Sequence, residues 1–280
     1  MSFTSDDLLS GTPELASLPE VLYRANKMVR SGHYSAVDIG RVISQDSGLS
    51  TRLLKVVNSP FYGFPSSIDT VSRAITIIGS RELCDILCAT TVMRTFEGVP
   101  IQLIDMQHFW QHSLYCAVAA REIALVLHED DIEHHFLCGL LHDVGSLVMY
   151  HRTPELAAQA LRESLEQGTA LHLCERRLIG TDHAEVGARL LQRWRLPETL
   201  SEAVAFHHDP VLARNYPRET WITHAAEIIA HHALSAGSLN GHTEELEILT
   251  RHAHLLDPRQ LDDIVARSAV QFSLACKSFF

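Results

Sequence analysis

The chain has 280 residues, which fits one large domain or two ordinary ones. Its formal net charge is −11, and a surface that acidic excludes general binding to nucleic acid or to an anionic membrane, because phosphate contacts need clustered Lys and Arg. Apolar residues make up 46% of the chain and charged residues 20%, which excludes a disordered tail. Histidine is unusually frequent, with 18 copies, so imidazole chemistry is the first possibility to examine.

The sequence carries no sign of export. It has no apolar run of 18 residues and no N-terminal hydrophobic leader, so we expect neither a membrane span nor secretion. The six cysteines form no Cys-x-x-Cys pair, which is typical of free thiols in a reducing cytoplasm. Cys84 and Cys88, four apart on one helix face, are expected to be small buried side chains.

Apolar residues recur at helical spacing along nearly the whole chain. Ser35 and Asp38 form a capping-box-like helix start, and Gly79 is a suitable C-cap. No strand-like alternation extends over six residues, so the sequence predicts an all-α fold. Beyond Pro100 the pattern predicts helices over 110–127, 133–141, 154–166, 182–194, 197–206 and 219–234, and another after Pro258.

The periodicity is interrupted by a Gly and a Pro in the stretch 97–100. We therefore predict two helical lobes, 1–100 and 101–280. The joint is too short to be a free linker, so the lobes are expected to share one continuous core.

The strongest local feature is the adjacent pair His142 and Asp143, between Gly139 and Gly145 at the end of an apolar helix. An imidazole nitrogen and a neighbouring carboxylate can reach one metal ion. Gly145 is expected to permit a sharp exit from the helix. The alternative is an ordinary helix C-terminus, where His142 suits the dipole and Asp143 turns the chain.

Five polar residues in other helical segments could join this pair: His112, His183, His207, His208 and Glu227. Several lie within or beside apolar stripes, where an unpaired polar group is costly. Convergence of separate helices on an ion is one way to offset that cost. Mixed imidazole and carboxylate donors favour Fe, Mn, Zn or Ni over Mg or Ca. The alternatives are that such an ion only holds the second lobe together, or that the cluster is bonded internally without an ion.

The other histidines receive no functional role. His231 and His232 are expected at a helix C-terminus, where a cation suits the dipole. His172 and His224 are expected in the core with a hydrogen bond to backbone. Those in polar or boundary stretches are expected to be solvated: His33, His128, His134, His135, His151, His242, His252 and His254.

Several segments together resemble the HDOD ("HD-related output domain") family of bacterial signalling proteins. In the first lobe the resemblance rests on 18–20, 43–49, 53–63 and 74–79, of which Asn58-Ser59-Pro60-Phe61-Tyr62-Gly63 is the most specific. In the second lobe it rests on 139–145, 182–187 and 206–210. It covers one unit from about Leu18 to about Leu234, followed by a C-terminal helical extension. The family fold, an N-terminal helical lobe packed on an HD-like helical core, agrees with the periodicity.

The HDOD family is related to the HD phosphohydrolases and to the HD-GYP phosphodiesterases that cleave cyclic di-GMP. Matching by motif implies that the first-shell positions of an HD site are occupied by His112, His142 and Asp143. The positions that bind a second ion in two-metal relatives are then occupied by His183, His207 and His208. Glu227 stands where those enzymes usually have Asp, and its side chain is one methylene longer.

Two departures from the catalytic relatives weaken the expectation of hydrolysis. The enzymes commonly read His-Asp-x-Gly-Lys, and Ser146 stands here in place of the Lys. The Gly-Tyr-Pro segment that follows the His pair in HD-GYP enzymes is absent, and Asp209-Pro210 stands there instead.

The resemblance therefore implies a cytoplasmic output or regulatory module that acts through contacts with sensor or response-regulator proteins, without catalysis. The alternative is a metal-dependent phosphohydrolase or phosphodiesterase acting on a nucleotide or cyclic dinucleotide, in which Asp143 bridges the ions. The aromatic turn 58–65 also allows two interpretations, an inter-lobe packing plug, which we favour, or an exposed docking surface.

Overall fold

The computed structural model describes residues 2–10, 17–97, 99–234, 256 and 258–280. Every regular element in those ranges is a helix, which confirms the all-α prediction. The first six helices are α1 (Ser5–Ser10), α2 (Glu20–Ser31), α3 (Ala36–Ile43), α4 (Ser47–Val57), α5 (Val71–Ile78) and α6 (Ser80–Thr95). The next five are α7 (Met106–Val126), α8 (Ile132–Leu141), α9 (Val144–Arg152), α10 (Pro154–Gln167) and α11 (Leu171–Leu178). The last four are α12 (His183–Arg193), α13 (Glu198–Phe206), α14 (Pro217–Leu234) and α15 (Pro258–Phe279).

The helix ends expected from the sequence are present. The Ser35 side chain accepts a hydrogen bond from the Asp38 backbone and the Asp38 carboxylate accepts one from the Ser35 backbone, so the capping box is confirmed. Gly79 ends α5 with a φ of 113°, a conformation that glycine adopts without strain. Asp182 caps α12 by accepting a hydrogen bond from the backbone N–H of Glu185.

The expectation that the chain leaves the helix sharply at Gly145 was wrong, because a further helix, α9, begins at Val144. Gly145 lies in the first turn of α9, where a Cβ atom would stand 2.1 Å from His183 O and 2.4 Å from Gly187 N. Its missing side chain therefore allows α9 to approach α12 closely, and no sharp turn is involved. Residues 144–150 are all buried, so α9 has no exposed polar face and its sequence lacks the amphipathic pattern by which a helix is predicted.

Helix α7 packs against α8, α14 and α15, and α8 also packs against α6. One cluster of buried hydrophobic residues runs from Leu8 in α1 to Ala275 in α15, and a second lies between α7, α14 and α15. Within the described part of the chain, no helix is long and apolar enough to cross a membrane.

The aromatic turn after α4 lies between the lobes. The Phe61 ring is buried, with its centroid 5.8 Å from that of Phe136 in α8. The Tyr62 hydroxyl donates a 2.8 Å hydrogen bond to Glu133 Oε2, and burial raises the pKa of that hydroxyl well above its usual value. Arg121 covers the Phe61 ring at 5.1 Å. These contacts favour the packing-plug interpretation.

The predictions for two of the remaining histidines were wrong, whereas those for the cysteines were confirmed. His134 and His135 are only 9% and 4% exposed, not solvated, because α8 is enclosed by α6, α7, α13 and α14. His33 and His128 are exposed as expected, and Cys84 and Cys88 are buried. The predictions for three others fall outside the described residues: His242, His252 and His254.

Candidate metal centre

All seven candidate residues converge on one cluster. They come from the middle of α7, the junction of α8 and α9, the start of α12, the end of α13 and the middle of α14: His112, His142, Asp143, His183, His207, His208 and Glu227. Three groups within it have ligand atoms that all lie within 4.8 Å of one another. The packing of these helices against one another brings residues from distant parts of the chain into one pocket.

One half of the cluster is organised around Glu227. Its Oε2 atom lies 2.7 Å from Nε2 of His142 and 3.1 Å from Nε2 of His112. The His142 side chain is fully buried, whereas His112 and Glu227 are 24% and 21% exposed. The longer glutamate side chain therefore reaches both imidazoles and can serve in place of an Asp.

The other half consists of three imidazoles. Nε2 of His183 and Nε2 of His208 are 2.7 Å apart, and a ring nitrogen of His207 lies within 4.8 Å of a ring nitrogen of each. Two imidazole nitrogens at that distance must either share a proton or both face a common ligand. A cation satisfies all three lone pairs at once.

Asp143 connects the two halves. Its Oδ2 atom is 3.2 Å from Nε2 of His142, and its Oδ1 atom is 3.3 Å from Nε2 of His183 and 3.8 Å from Nε2 of His207. One carboxylate therefore faces both groups of imidazoles, which is the position of a bridging ligand in a two-metal site.

The far side of each buried ring fixes which nitrogen faces the cluster. Nδ1 of His142 donates to Gly139 O at 2.7 Å, and Nδ1 of His207 donates to Val204 O at 2.8 Å. The Nε2 atoms of both rings are buried and have no hydrogen-bond partner of acceptable geometry. Buried polar atoms are rarely left in this state. Orientation of an imidazole by a second hydrogen bond is typical of metal ligands, so the donor set fits a divalent ion.

Glu175 of α11 is a further member that the sequence analysis missed. Its carboxylate is 1% exposed and accepts hydrogen bonds from Nδ1 of His183 at 2.6 Å and from the His183 backbone at 3.1 Å. Burial lowers the pKa of His183, but Glu175 and Asp143 outweigh it and raise that pKa to about 9. The only sequence signal was a glutamate eight residues before a helix-capping Asp-His pair, which is too common to be specific.

We expect the substitution Glu175→Gln to weaken metal affinity by about 10- to 100-fold, since loss of a carboxylate behind a ligating imidazole has that effect in other sites. Titration of metal-free protein against a competing chromophoric chelator measures the affinity. Glu166→Gln, an exposed residue of neighbouring α10, is the matched control. Equal affinity in the two variants would show that Glu175 does not orient a ligand.

The charges of the metal-free cluster are strongly coupled. Burial alone would raise the pKa of both carboxyls, but the neighbouring imidazoles hold the pKa of Asp143 and of Glu227 well below the usual range. The same attraction outweighs burial at His142 and raises its pKa, whereas burial and the charge of His142 lower the pKa of His207 to about 3. Protons and a divalent cation compete for these nitrogens, so metal affinity should increase with pH.

Two other histidines lie around the cluster. Nδ1 of His224 donates to His207 O at 2.6 Å, which confirms the predicted bond to backbone. The ring of His172 instead stacks on His208, with centroids 4.2 Å apart.

Glu202 of α13 holds the segment that follows the His207–His208 pair. Its Oε1 atom accepts hydrogen bonds from the backbone N–H groups of Arg214, Asn215 and Tyr216 at 2.5, 2.8 and 3.2 Å. Burial raises the pKa of this carboxyl, but the donors outweigh burial and lower it below the ordinary 4.5. The stabilisation is therefore present above pH 4.5 and is lost as the pH falls through the lowered value.

Glu202→Gln should lower the free energy of unfolding by about 2 kcal/mol at pH 7, because charge-assisted hydrogen bonds are replaced by weaker ones. The difference from wild type should shrink towards pH 3, where the wild-type carboxyl is also becoming protonated. Urea denaturation at both pH values measures it, with the exposed Glu198→Gln in the same helix as control. A loss of stability that is the same at both pH values would contradict the assigned role.

The cluster has an open side. A cavity of about 460 Å³ is bounded by α7 and α14 and reaches His112. The residues that line it are His108, Gln111, His112, His231 and Leu234, so none of them is a lysine or an arginine.

A sequence model of the HDOD domain matches residues 15–210. The chain belongs to the HDOD family. An uncharacterised protein of Treponema pallidum (strain Nichols) is 28% identical over 197 residues, which are 70% of this chain and 38% of that relative. The chain therefore spans well under half the length of the curated relative that it matches.

Crystal structures with the same HDOD-type fold cover nearly the whole chain. A protein of Shewanella amazonensis SB2B, provisionally named a phosphohydrolase, is similar with a TM-score of 0.79 and 25% identity over 98% of each chain. An HDOD domain protein of unknown function from Geobacter sulfurreducens has a TM-score of 0.76 and 23% identity, covering 99% of this chain and 97% of that one. The second likeness supports the fold alone.

Proposed function

We propose that the protein is a bacterial signal-transduction module of the HDOD type, which holds a His/carboxylate metal centre and acts through contacts with sensor or response-regulator proteins in the cytoplasm, without catalysis. The observation that carries this proposal is a cluster of imidazole and carboxylate donors beside a cavity whose described lining residues include no lysine or arginine. Family membership supports the signalling role, because a fold by itself does not establish a reaction.

The metal would be held by two groups of residues. His112, His142 and Glu227 form one group; His183, His207 and His208 form the other, with Asp143 between them. The donor set is imidazole-rich, which favours Fe, Mn, Zn or Ni. Such an ion would join five helical segments across the second lobe, so its first contribution is to the rigidity of that lobe.

The lack of a cation supports a non-catalytic role. Hydrolysis of a phosphodiester requires compensation of the charge that develops on the phosphoryl group. Ser146, at the position where the related enzymes carry Lys, is uncharged and 3% exposed within α9. Among the residues that the structure describes, the cavity beside His112 has no basic lining residue other than histidine.

A metal-dependent phosphohydrolase is the second candidate, and the bridging position of Asp143 is the observation that favours it. The likeness to the Shewanella protein that is provisionally named a phosphohydrolase agrees with this alternative. A divalent ion bound in the cluster supplies Lewis-acid polarisation of a phosphoryl oxygen.

Elemental analysis and a phosphodiesterase assay on the same preparation separate the two functions. Protein loaded with Mn or Fe is assayed with bis-p-nitrophenyl phosphate and with a cyclic dinucleotide, and the control is His142→Ala with Asp143→Ala. Bound metal with no turnover above that control supports the contact-based function. Turnover that depends on metal and is lost in the control overturns it and supports hydrolysis.

A pairwise interaction assay against the purified sensor and response-regulator proteins of the source organism tests the partner class. Saturable binding to at least one of them supports the signalling role, provided that heat-denatured protein does not bind. No binding to any member of that set would refute the proposed partner class.

A further inference from the structure

A second cavity, of about 610 Å³, lies on a different face of α7 from the metal cluster. It is formed by residues of α4, α6, α7 and α15, including Trp110, two positions before His112. Two positions correspond to about 200° around a helix, so the cavity and the cluster occupy nearly opposite sides of α7. No step of the proposed function uses this cavity, and its volume is within the range of small-molecule sites.

Three cations border the cavity: Arg52, Lys55 and Arg94. Nε of Arg52 is buried without a hydrogen-bond partner. Glu97 also lines the cavity, but in the described ranges no carboxylate comes within 4.0 Å of the charged nitrogens of the three cations. Since the whole chain carries a net charge of −11, a local group of unpaired cations requires a specific explanation.

Asp46, Arg52 and Arg94 converge near Gly48. A Cβ atom on Gly48 would lie 3.3 Å from Oδ1 of Asp46, 3.4 Å from Nη1 of Arg52 and 3.6 Å from Nη1 of Arg94. Burial and the charge of Arg94 lower the pKa of the Arg52 guanidinium, while Asp46 and Glu97 oppose this to a smaller extent. The nearby carboxylates therefore offset the repulsion between the two guanidinium groups only in part, and an anion bound in the cavity would offset it further.

Much of the remaining cavity wall is apolar and aromatic, and its uncharged polar members are Thr90, Gln107 and Ser278. Phe96 and Trp110 are 1% and 6% exposed, with ring centroids 6.4 Å apart. Phe279 and Phe280 also line the cavity, and Phe280 is 51% exposed although it is a large apolar residue. An apolar wall beside a cationic rim is complementary to a molecule that has an anionic group and an apolar body.

We propose that this cavity binds a small organic anion, with its carboxylate or phosphate held by Arg52 and Arg94 and its apolar body against Trp110 and Phe280. Forked guanidinium groups match both anionic groups. The apolar body could be an acyl chain or a nucleobase, and the test below distinguishes them. Trp110 and His112 both belong to α7, so a ligand bound in this cavity would contact the helix that also carries a residue of the metal cluster.

The fluorescent probe 1-anilinonaphthalene-8-sulfonate, an aromatic sulfonate, tests the site in the full chain. We expect one saturable site per chain, with a dissociation constant that increases at least about tenfold in Arg52→Gln with Arg94→Gln, since each charge-assisted contact contributes about that factor. Arg41→Gln with Arg73→Gln, two exposed arginines in surface ion pairs, is the matched control and should bind like wild type. Arg94→Gln alone, at an exposed position, replaces the double variant if that variant unfolds.

Competition identifies the natural class. Displacement of the probe by decanoate but not by adenosine monophosphate assigns the cavity to acyl carboxylates, and the reverse assigns it to nucleotides. The proposal is wrong if the probe does not saturate, if the arginine variants bind it as tightly as the control, or if neither competitor displaces it. Both the metal content and the phosphodiesterase assay are independent of these outcomes.

Discussion

A protein with the substitutions His142→Ala and Asp143→Ala should bind metal more than about 100-fold more weakly than wild type. This loss is larger than that expected for Glu175→Gln, which removes only a residue that orients a ligand. Asp143 is the only described residue whose two carboxylate oxygens face both groups of imidazoles, at 3.2 Å from His142 and 3.3 Å from His183. His142 contributes a fully buried Nε2 that lies 2.7 Å from Glu227 Oε2 without the geometry of a hydrogen bond. Their joint removal leaves only His112 and Glu227 in one group and takes the bridging carboxylate from the three imidazoles of the other.

Elemental analysis of protein purified without added metal measures this effect. The matched control is His33→Ala with Asp69→Ala, which removes the same two residue types from exposed positions. The control should retain the wild-type metal content, whereas the site variant should contain much less. A site variant with the same metal content as the control would show that His142 and Asp143 do not hold the ion.

Thermal unfolding with and without a chelator distinguishes the remaining explanations of the cluster. An ion that binds only the folded protein stabilises it by mass action, so chelation should lower the melting temperature of the wild type and of the control by more than that of the site variant. A wild-type protein that contains no transition metal and is indifferent to the chelator would contradict the metal centre. The cluster would then be a hydrogen-bonded core of imidazoles and carboxylates.

The seven candidate residues could be found from the sequence because each is a polar residue at an otherwise apolar position or at a helix end. His183 follows a capping Asp182, and His207 follows the apolar residues Ala205 and Phe206. Local patterns of that kind are independent of the tertiary fold, and the family motifs then related them to one another. Their distances, and the bridging position of Asp143, depend on how helices cross and could not be derived from spacing.

Glu175 and Glu202 show why the supporting residues could not be found. Both lie in short polar stretches that resemble a solvated helix face, yet they are 1% and 8% exposed. Their partners are a ring nitrogen eight residues away and backbone N–H groups at least twelve residues away. A carboxylate that is stabilised by distant donors has no signature in its own sequence neighbourhood.

Helices were predictable where one face is apolar and a cap is present, and less so elsewhere. Helix α3 has a capping box and an apolar stripe, and the prediction was confirmed. Helix α9 is buried from residue 144 to 150 and follows directly on the His-Asp pair, so neither a stripe nor a linker separates it from α8. Periodicity cannot detect a helix that is apolar on all sides.

Gly145→Ala should destabilise the protein by about 3 kcal/mol, the upper end for added volume in a packed interior. The new Cβ would meet backbone on two sides, His183 O at 2.1 Å and Gly187 N at 2.4 Å, so no side chain can rotate away to relieve the overlap. Helices α9 and α12 must separate, and His183 must move away from Asp143 with them. The substitution is therefore expected to weaken metal binding as well as folding, although Gly145 carries no donor atom.

Urea denaturation of the metal-free protein measures the stability change, and chelator competition measures the affinity. Gly48→Ala is the matched control: its Cβ would first meet side-chain atoms, at 3.3 Å and beyond, and its gain in helix propensity is up to about 1 kcal/mol. Stability of Gly145→Ala equal to that of Gly48→Ala would refute the close approach of α9 to α12. Loss of stability with unchanged metal affinity would instead show that the two helices can separate without moving His183.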